Sequence, residues 1–293
     1  MKHVFQARSF KPETLHLIDQ VNAVIDEYQS QGYTLTVRQA HYQFVSRGPI
    51  SNTQRSYKRL GKVISNARLA GLIDWGAIVD RTRNVRSNPH WDGVDDVLAA
   101  AADSYRRDLW AGQSCAVEIW IEKEALIGVI EDSCIELDVP FFACRGYVSQ
   151  SELWRAGQRV WDRWRKYRQK TVILHLGDHD PFGVDMTRDN QVRVELFADC
   201  GSIVIVKRIA LNWDQIQEHQ PPPNPAKLTD TRARDYIKQY GIHSWELDAL
   251  EPRLIEQLIR EAVTEHLDLA QMQAVKVQQE SERQQLHTLA REI

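Results

Sequence analysis

From Cys115 onward the chain alternates in a way that few folds accommodate. "CAVEIWIE" is a β-prone run followed by the helix-length "KEALIGVIEDSCIEL", and "VPFFACRGY" is followed by the Trp- and Arg-rich "SQSELWRAGQRVWDRWRKYRQ". "TVILHLGD" then leads into "PFGVDMTRDNQVRVELFADCG", and "SIVIVKRIAL" closes the series. Strands separated by helices of this length pair in parallel through right-handed crossovers. In such sheets the working groups gather beyond the carboxyl ends of the strands. Three acids fall there: Glu122 ends the first run, and Asp178 and Asp180 follow the third.

Residues two apart in extended chain point the same way, so Asp178 and Asp180 share a side while His179 faces the other. Two carboxylates on one side repel each other unless a cation lies between them. Hard carboxylate oxygens suit Mg²⁺, which keeps several waters and takes further ligands from phosphate. The alternative is that Glu122 and Asp180 only cap helix starts, where acids are favoured. His175, inside the strand, reads as a packed core histidine.

The segment before residue 90 has a different texture. Residues 12–31 carry Leu15, Ile18, Val21, Ile25 and Tyr28 at near-helical spacing. In "TVRQAHYQFVSRG", Thr36 with Gln39 three residues on is a capping-box signature, and Gly48-Pro49 ends the element. The apolar stripe is Val37, Ala40, Phe44 and Val45, with His41 near the same face. Tyr42 lies about 120° from its centre, beside Arg38, and is placed to reach a ligand. A third helix, "TQRSYKRLGKVISNARLAG", puts Tyr57, Leu60, Ile64 and Ala67 inward and most of its cations outward. "LIDWGAIVDRTR" then reads as a short strand pair ending in Arg81 and Arg83. This is the outline of a winged helix-turn-helix, whose third helix enters a major groove while the wing meets backbone. Between Thr36 and Arg86 ten basic residues face two acidic ones, a surplus of eight. That leaves −11 on the rest of a chain whose net charge is −3. Such asymmetry is expected where one module faces phosphate, so Arg55, Lys58, Arg59, Lys62, Arg68, Arg81 and Arg83 are the candidate DNA contacts.

A chain of 293 residues has room for one large or two ordinary domains. Its four cysteines show no CxxC pair and no zinc spacing. No signal peptide or membrane-length apolar run occurs, so a soluble cytoplasmic protein is expected. No GxxxxGK[ST] loop is present, since "RLGKVIS" lacks the hydroxyl residue after its lysine. In "QPPPNPAKLTDTR", Lys227 and Arg232 are candidate DNA or active-site contacts, or part of a plain surface loop. From Pro252 the tail reads as helix, apolar at first and polar beyond about Gln271, either solvated or oligomerising.

These motifs resemble a known combination. "IEK" after a first strand and "GDHDPFG" after a later one resemble the TOPRIM fold, the magnesium-binding module of topoisomerases, primases and some nucleases. "TVRQAHY" resembles the S/T-x-R-x-x-Y-Y motif in the winged-helix domain of the topoisomerase VI A subunit and its meiotic double-strand-break relatives. The two in this order, over roughly residues 10–260, are similar to that family. With "NPAK", "TDTR" and "SWELDAL" in the tail, the chain looks most like its short stand-alone Mini-A members. The resemblance implies an α/β chain with a winged-helix (CAP-like) domain over 1–110. A TOPRIM domain with a parallel sheet flanked by helices follows over 111–252, then a C-terminal helical segment over 253–293. Tyr42 matches the nucleophilic second tyrosine of the motif, and His41 stands where the first would be. Arg38 matches the arginine expected near the scissile phosphate, and Glu122, Asp178 and Asp180 match the Mg²⁺-holding acids.

The implied activity is that of a type IIB-like topoisomerase acting on double-stranded DNA. The tyrosine oxygen displaces the 3′ oxygen and leaves a 5′-phosphotyrosyl link, with Glu122 completing the metal site or serving as acid and base. In the family the tyrosine of one subunit meets the metal of the other, which implies a homodimer with composite sites. Strand passage there needs a separate GHKL-type ATPase subunit, which this chain does not supply. Two other readings stay open. One is a TOPRIM nuclease using water, with Tyr42 idle. The other is a non-catalytic winged-helix DNA-binding protein whose α/β part serves dimerisation.

Overall fold

The computed structural model describes residues 1–80, 88–199, 201–225 and 233–291. Helix α1 (Pro12–Ser30) starts on a proline whose missing N–H costs nothing in a first turn. Helix α2 (Val37–Ser46) opens at the expected capping box, where Gln39 N–H donates to Thr36 Oγ1 at 3.2 Å and Thr36 N–H donates to Gln39 Oε1 at 2.9 Å. A second box, Thr53 with Ser56, starts α3 (Gln54–Leu69). The three helices close on one core that includes Ile18, Val21, Ile25, Phe44, Leu60 and Ile64.

The outer face of α3 carries Arg55, Lys58, Arg59 and Lys62, all exposed and spaced to share one side of the helix. Tyr57 departs from expectation: it is 37% exposed rather than inward, its ring edge-on to His41 at 5.6 Å. Arg68 is also turned from solvent, with its guanidinium 4.4 Å from the Trp75 ring and donating to Trp75 O. The expected wing is not formed in its described part. Residues 72–80 hold no strand, and Ile78 makes a single parallel bridge to Leu35. Packing of Ile73, Ala77 and Ile78 under the helices holds the backbone there instead. Arg81 and Arg83 lie outside the described residues, as do Lys227, Arg232 and Cys200.

After α4 (Val94–Ser104) come the four strands read from the sequence: β1 (Cys115–Ile121), β2 (Phe141–Ala143), β3 (Lys170–Leu176) and β4 (Val204–Ala210). They form one parallel sheet in the order β2-β1-β3-β4. The fold is therefore α/β, a four-stranded parallel sheet flanked by helices. The crossovers are α5 (Ile127–Glu136), α6 (Gln150–Tyr167) and α7 (Pro181–Ala198). α6 and α7 cover one face through Leu153, Ala156, Val160, Val194 and Ala198. The other face is covered by α5 and, from the far end of the chain, by Ile255, Ile259 and Val263 of α10 (Pro252–Thr264). Between β4 and α10 lie α8 (Trp213–His219), α9 (Ala233–Tyr240), and a two-residue pairing of β5 (Asn224–Pro225) with β6 (His243–Ser244). Helix α11 (Leu269–Arg291) lies along α4, where the Tyr105 hydroxyl donates to Glu282 at 2.6 Å. Among the described residues no helix is long and apolar enough to cross a membrane. Cys115, Cys134 and Cys144 are buried free thiols.

Two features of this packing have measurable consequences. At Gly157 an added Cβ would lie 2.5 Å from the Phe197 carbonyl carbon and 2.8 Å from the Ala198 nitrogen, so backbone of α7 would have to move. Gly157→Ala gains about 1 kcal/mol in helix propensity. Overpacking against an immovable backbone costs up to about 3 kcal/mol or more, so a net fall in melting temperature is expected. A rise would show that the α6–α7 contact is loose.

His175 is fully buried, with Nδ1 2.8 Å from Thr187 Oγ1. Burial, reinforced by the Arg208 charge, pushes its imidazole down to about 3. Its folded value lies below the unfolded one of about 6.5, so its contribution to stability is present above that pH and is lost as pH falls toward 3. His179, pushed down to about 4 chiefly by burial, acts in the same direction. Denaturant melts should lose on the order of 3 kcal/mol per such histidine between about pH 7 and about pH 4. His175→Leu should flatten that limb; an unchanged slope would mean the histidine titrates normally.

Candidate functional site

The register of the sheet builds the site. Ile121 pairs with Leu176, so the residues that follow, Glu122 and Gly177, leave the sheet side by side. Glu122 N–H donates to Leu176 O at 2.8 Å, and Glu122 Oε2 accepts from the backbone N–H of Asp178 at 2.8 Å. Asp178 Oδ1 accepts from Leu247 N–H at 2.8 Å, and Asp180 Oδ1 caps α7 by accepting from Gly183 N–H at 2.6 Å. Asp180 is thus a helix cap, as the alternative reading had it, whereas Glu122 caps nothing. His179 faces the other way, in a nest of Trp213, Tyr236, Tyr240 and Trp245. Its backbone forms an antiparallel bridge with Trp245, which brings the 245–248 segment to the strand ends.

That segment also covers Tyr42. The tyrosine lies outside the N-terminal hydrophobic core, as its place on α2 requires, yet it is 4% exposed rather than free. The turn Leu247–Ala249 packs on α2 and buries it. Arg38, about half exposed, stands 5.8 Å from the Tyr42 ring centroid. It pairs with Glu246, and its Nε lies 2.9 Å from Asp248 Oδ2. Lys123 Nζ completes the cluster at 2.6 Å from Glu246, 2.8 Å from Asp248 and 3.1 Å from Asp178. The modules are joined nearby by Tyr28 to Glu251, by Tyr33 to Glu256, and by Asn52 donating to Asn224 at 2.6 Å.

Charges and burial set the electrostatics. Burial pushes Asp178 up to about 7, with Lys123 opposing and Glu122 and Asp248 adding to the push. Glu122 is raised by burial and by Asp180, against the Asp178 N–H and Lys123. Burial alone would raise Glu246, but Lys123 and Arg38 outweigh it and hold it down at about 2. Tyr42 is raised by burial, Asp248 and Glu246, while Arg38 and Lys123 pull it down. A cavity of about 370 Å³, lined by Arg38, His41, Tyr42, Tyr57, Asn224 and Glu246, opens onto this cluster. A larger cleft of about 610 Å³ between Arg106, Glu118 and Lys166 lies at the amino-terminal end of the strands, away from where parallel sheets carry their chemistry.

Among the described residues no three His, Cys, Asp or Glu side chains form a ready-made metal cage. The donor set nevertheless fits a hydrated hard cation. Burial is the main cause that raises both Glu122 and Asp178, with Asp180 adding to the push on Glu122 and Glu122 to that on Asp178. Glu122, Asp178 and Asp180 are the groups that could hold such a cation, Asp178 being shared with Lys123.

Tyr42, Arg38, Glu122, Asp178 and Asp180 are thus brought to one junction between the modules. Arg55, Lys58, Arg59 and Lys62 lie apart on α3, and Arg68 is spent on Trp75. Four participants went unassigned in the sequence: Lys123, Arg208, Glu246 and Asp248. Arg208, pushed down to about 10 by burial, donates to Gly177 O, Asp178 O and Gly183 O and so shapes the loop of acids. Glu246-Leu247-Asp248 repeats the spacing that singled out Asp178 and Asp180, a signal available but unused. Compared with family models, curated proteins and solved structures, the chain matches none.

Proposed function

We propose that this chain is a Mg²⁺-dependent DNA-cleaving protein of the topoisomerase VI A type, with Tyr42 as nucleophile. The observation that carries the reading is the junction itself: a tyrosine and an arginine from the basic helical module, tied through Lys123 to the acids at the ends of β1 and β3. The exposed cations of α3 supply sequence-independent affinity for duplex phosphate. In this reading the helical module is a winged-helix domain and the α/β module a TOPRIM domain.

Arg38 and Lys123 are the groups that favour the phenolate of Tyr42, and the same charges would stabilise a phosphorane-like transition state. The phenolic proton passes to solvent water as the Tyr42 oxygen bonds to phosphorus, the bond to the 3′ oxygen breaks, and that oxygen takes a proton. That proton comes from solvent water, or from Glu122 where it is left free of the cation; burial is the main cause that raises its carboxyl. Bound Mg²⁺ would supply charge stabilisation at the phosphate. The phosphodiester energy is conserved in the tyrosyl link, so resealing needs no ATP. Arg38 meets Glu246 and Asp248 of its own chain, and in this reading a homodimer would set the Tyr42 of one subunit against the acids of the other.

The test is a cleavage assay on supercoiled plasmid with Mg²⁺, stopped with detergent, half of each sample then digested with protease. Cut DNA carrying protein on its 5′ ends supports the proposal; free ends in the undigested half speak for hydrolysis. One observation favours that second reading, a water-using nuclease: burial and the neighbouring acids hold the proton on Tyr42 in the resting arrangement.

A further inference from the structure

We infer that Arg38 and Lys123 form a phosphodiester-binding pair whose resting occupant is the chain's own Glu246, and that DNA enters by displacing it. The identity of the ligand rests on the reading above; the pair and its occupant do not. Arg38 comes from α2 and Lys123 from the turn after β1, yet both converge on Glu246 Oε2, Lys123 at 2.6 Å. A carboxylate oxygen shared by a guanidinium and an ammonium sits where a phosphate oxygen binds the same two cations.

Of the three acids on this pair, only Glu246 has a way out. Asp248 is 1% exposed at its side chain and takes Arg38 Nε and Lys123 at 2.9 and 2.8 Å. Asp178 is held by the Leu247 N–H. The Glu246 side chain is 25% exposed and lines the cavity beside Arg38 and Tyr42; besides the two cations it is held by the Tyr42 hydroxyl and by a long 3.2 Å bond from Asn224 to its other oxygen. A phosphodiester carries one negative charge, as Glu246 does, so the exchange leaves the local charge unchanged. Asp248 stays behind and keeps Arg38 aimed at the cavity. Glu246 therefore competes with DNA, and Lys123 joins Arg38 as a phosphate ligand.

The experiment measures binding, not cleavage. Fluorescence anisotropy with a short labelled duplex, in chelator and over a salt series, compares wild type, Glu246→Gln, Glu246→Ser and the double variant Arg38→Gln/Glu246→Gln. Loss of the competitor should tighten binding about tenfold with the salt dependence little changed, because the same phosphate contact forms in both proteins, whereas loss of Arg38 should make the slope shallower. The double variant should lose the gain. Duplex binding by wild type that Glu246→Gln and Glu246→Ser leave unchanged or weaken would overturn the inference. Thermal stabilisation by inorganic phosphate separates this from the functional reading. If no protein binds duplex but phosphate stabilises the Glu246 variants and not the double variant, the anion pair stands and DNA as its ligand falls. If phosphate also fails to distinguish them, the inference falls too.

Discussion

Tyr42→Phe is expected to lower the yield of protein-linked DNA by at least about 10³-fold, the scale on which removal of a nucleophile acts. The substitution deletes one oxygen from a buried ring and leaves its packing against the 247–249 turn intact. The lost hydroxyl interacts with Glu246 and Arg38, which remain paired with each other, so the stability cost should stay near 1 kcal/mol. A cleavage defect without a melting defect therefore isolates chemistry from folding. Free-ended cleavage that persists in Tyr42→Phe would pass the reaction to water. The nucleophile assignment would then be wrong while the acid cluster kept its role.

Lys123→Met should be the most destabilising single change at the junction. Lys123 is 16% exposed and touches Asp178, Glu246 and Asp248; its ammonium is held well above the ordinary lysine range because their charges outweigh burial. Removing the cation leaves three carboxylates facing one another, with Arg38 and the more distant Arg208 to offset them. Breaking a buried pair by deleting one partner costs about 3–5 kcal/mol, and methionine keeps most of the volume, so the loss is electrostatic. Without Lys123 the Asp178 value rises further above about 7, so the loss should be largest at alkaline pH and shrink as pH falls toward 7, because a protonated Asp178 no longer needs the lysine. Equal destabilisation at alkaline and neutral pH would mean that packing, not charge, is what Lys123 supplies.

The local elements were legible in the sequence because their causes are local. The capping box at Thr36, the proline start of α1 and the four β-prone runs each depend on residues within one turn or one strand. The placement of Glu122 and Asp178 at the ends of β1 and β3 followed from the same runs. Tyr57 was misread because helical spacing assigns a face but does not say where the core stops; in the described part of the expected wing, residues 72–80, packing under the helices takes the place of strand pairing.

What the sequence by itself determined is the α/β alternation, the basic face of α3, and the residue types available for phosphate and metal chemistry. Only the tertiary structure decided that Tyr42 is covered rather than free, and that Glu246 and Asp248 complete the site. The reason is distance along the chain. Arg38 and Glu246 are 208 residues apart, and the contact exists only because the His179–Trp245 bridge carries the 245–248 segment to the strand ends and against α2. A carboxylate's partner is chosen by which element passes within about 4 Å of it, and no periodicity in sequence records that.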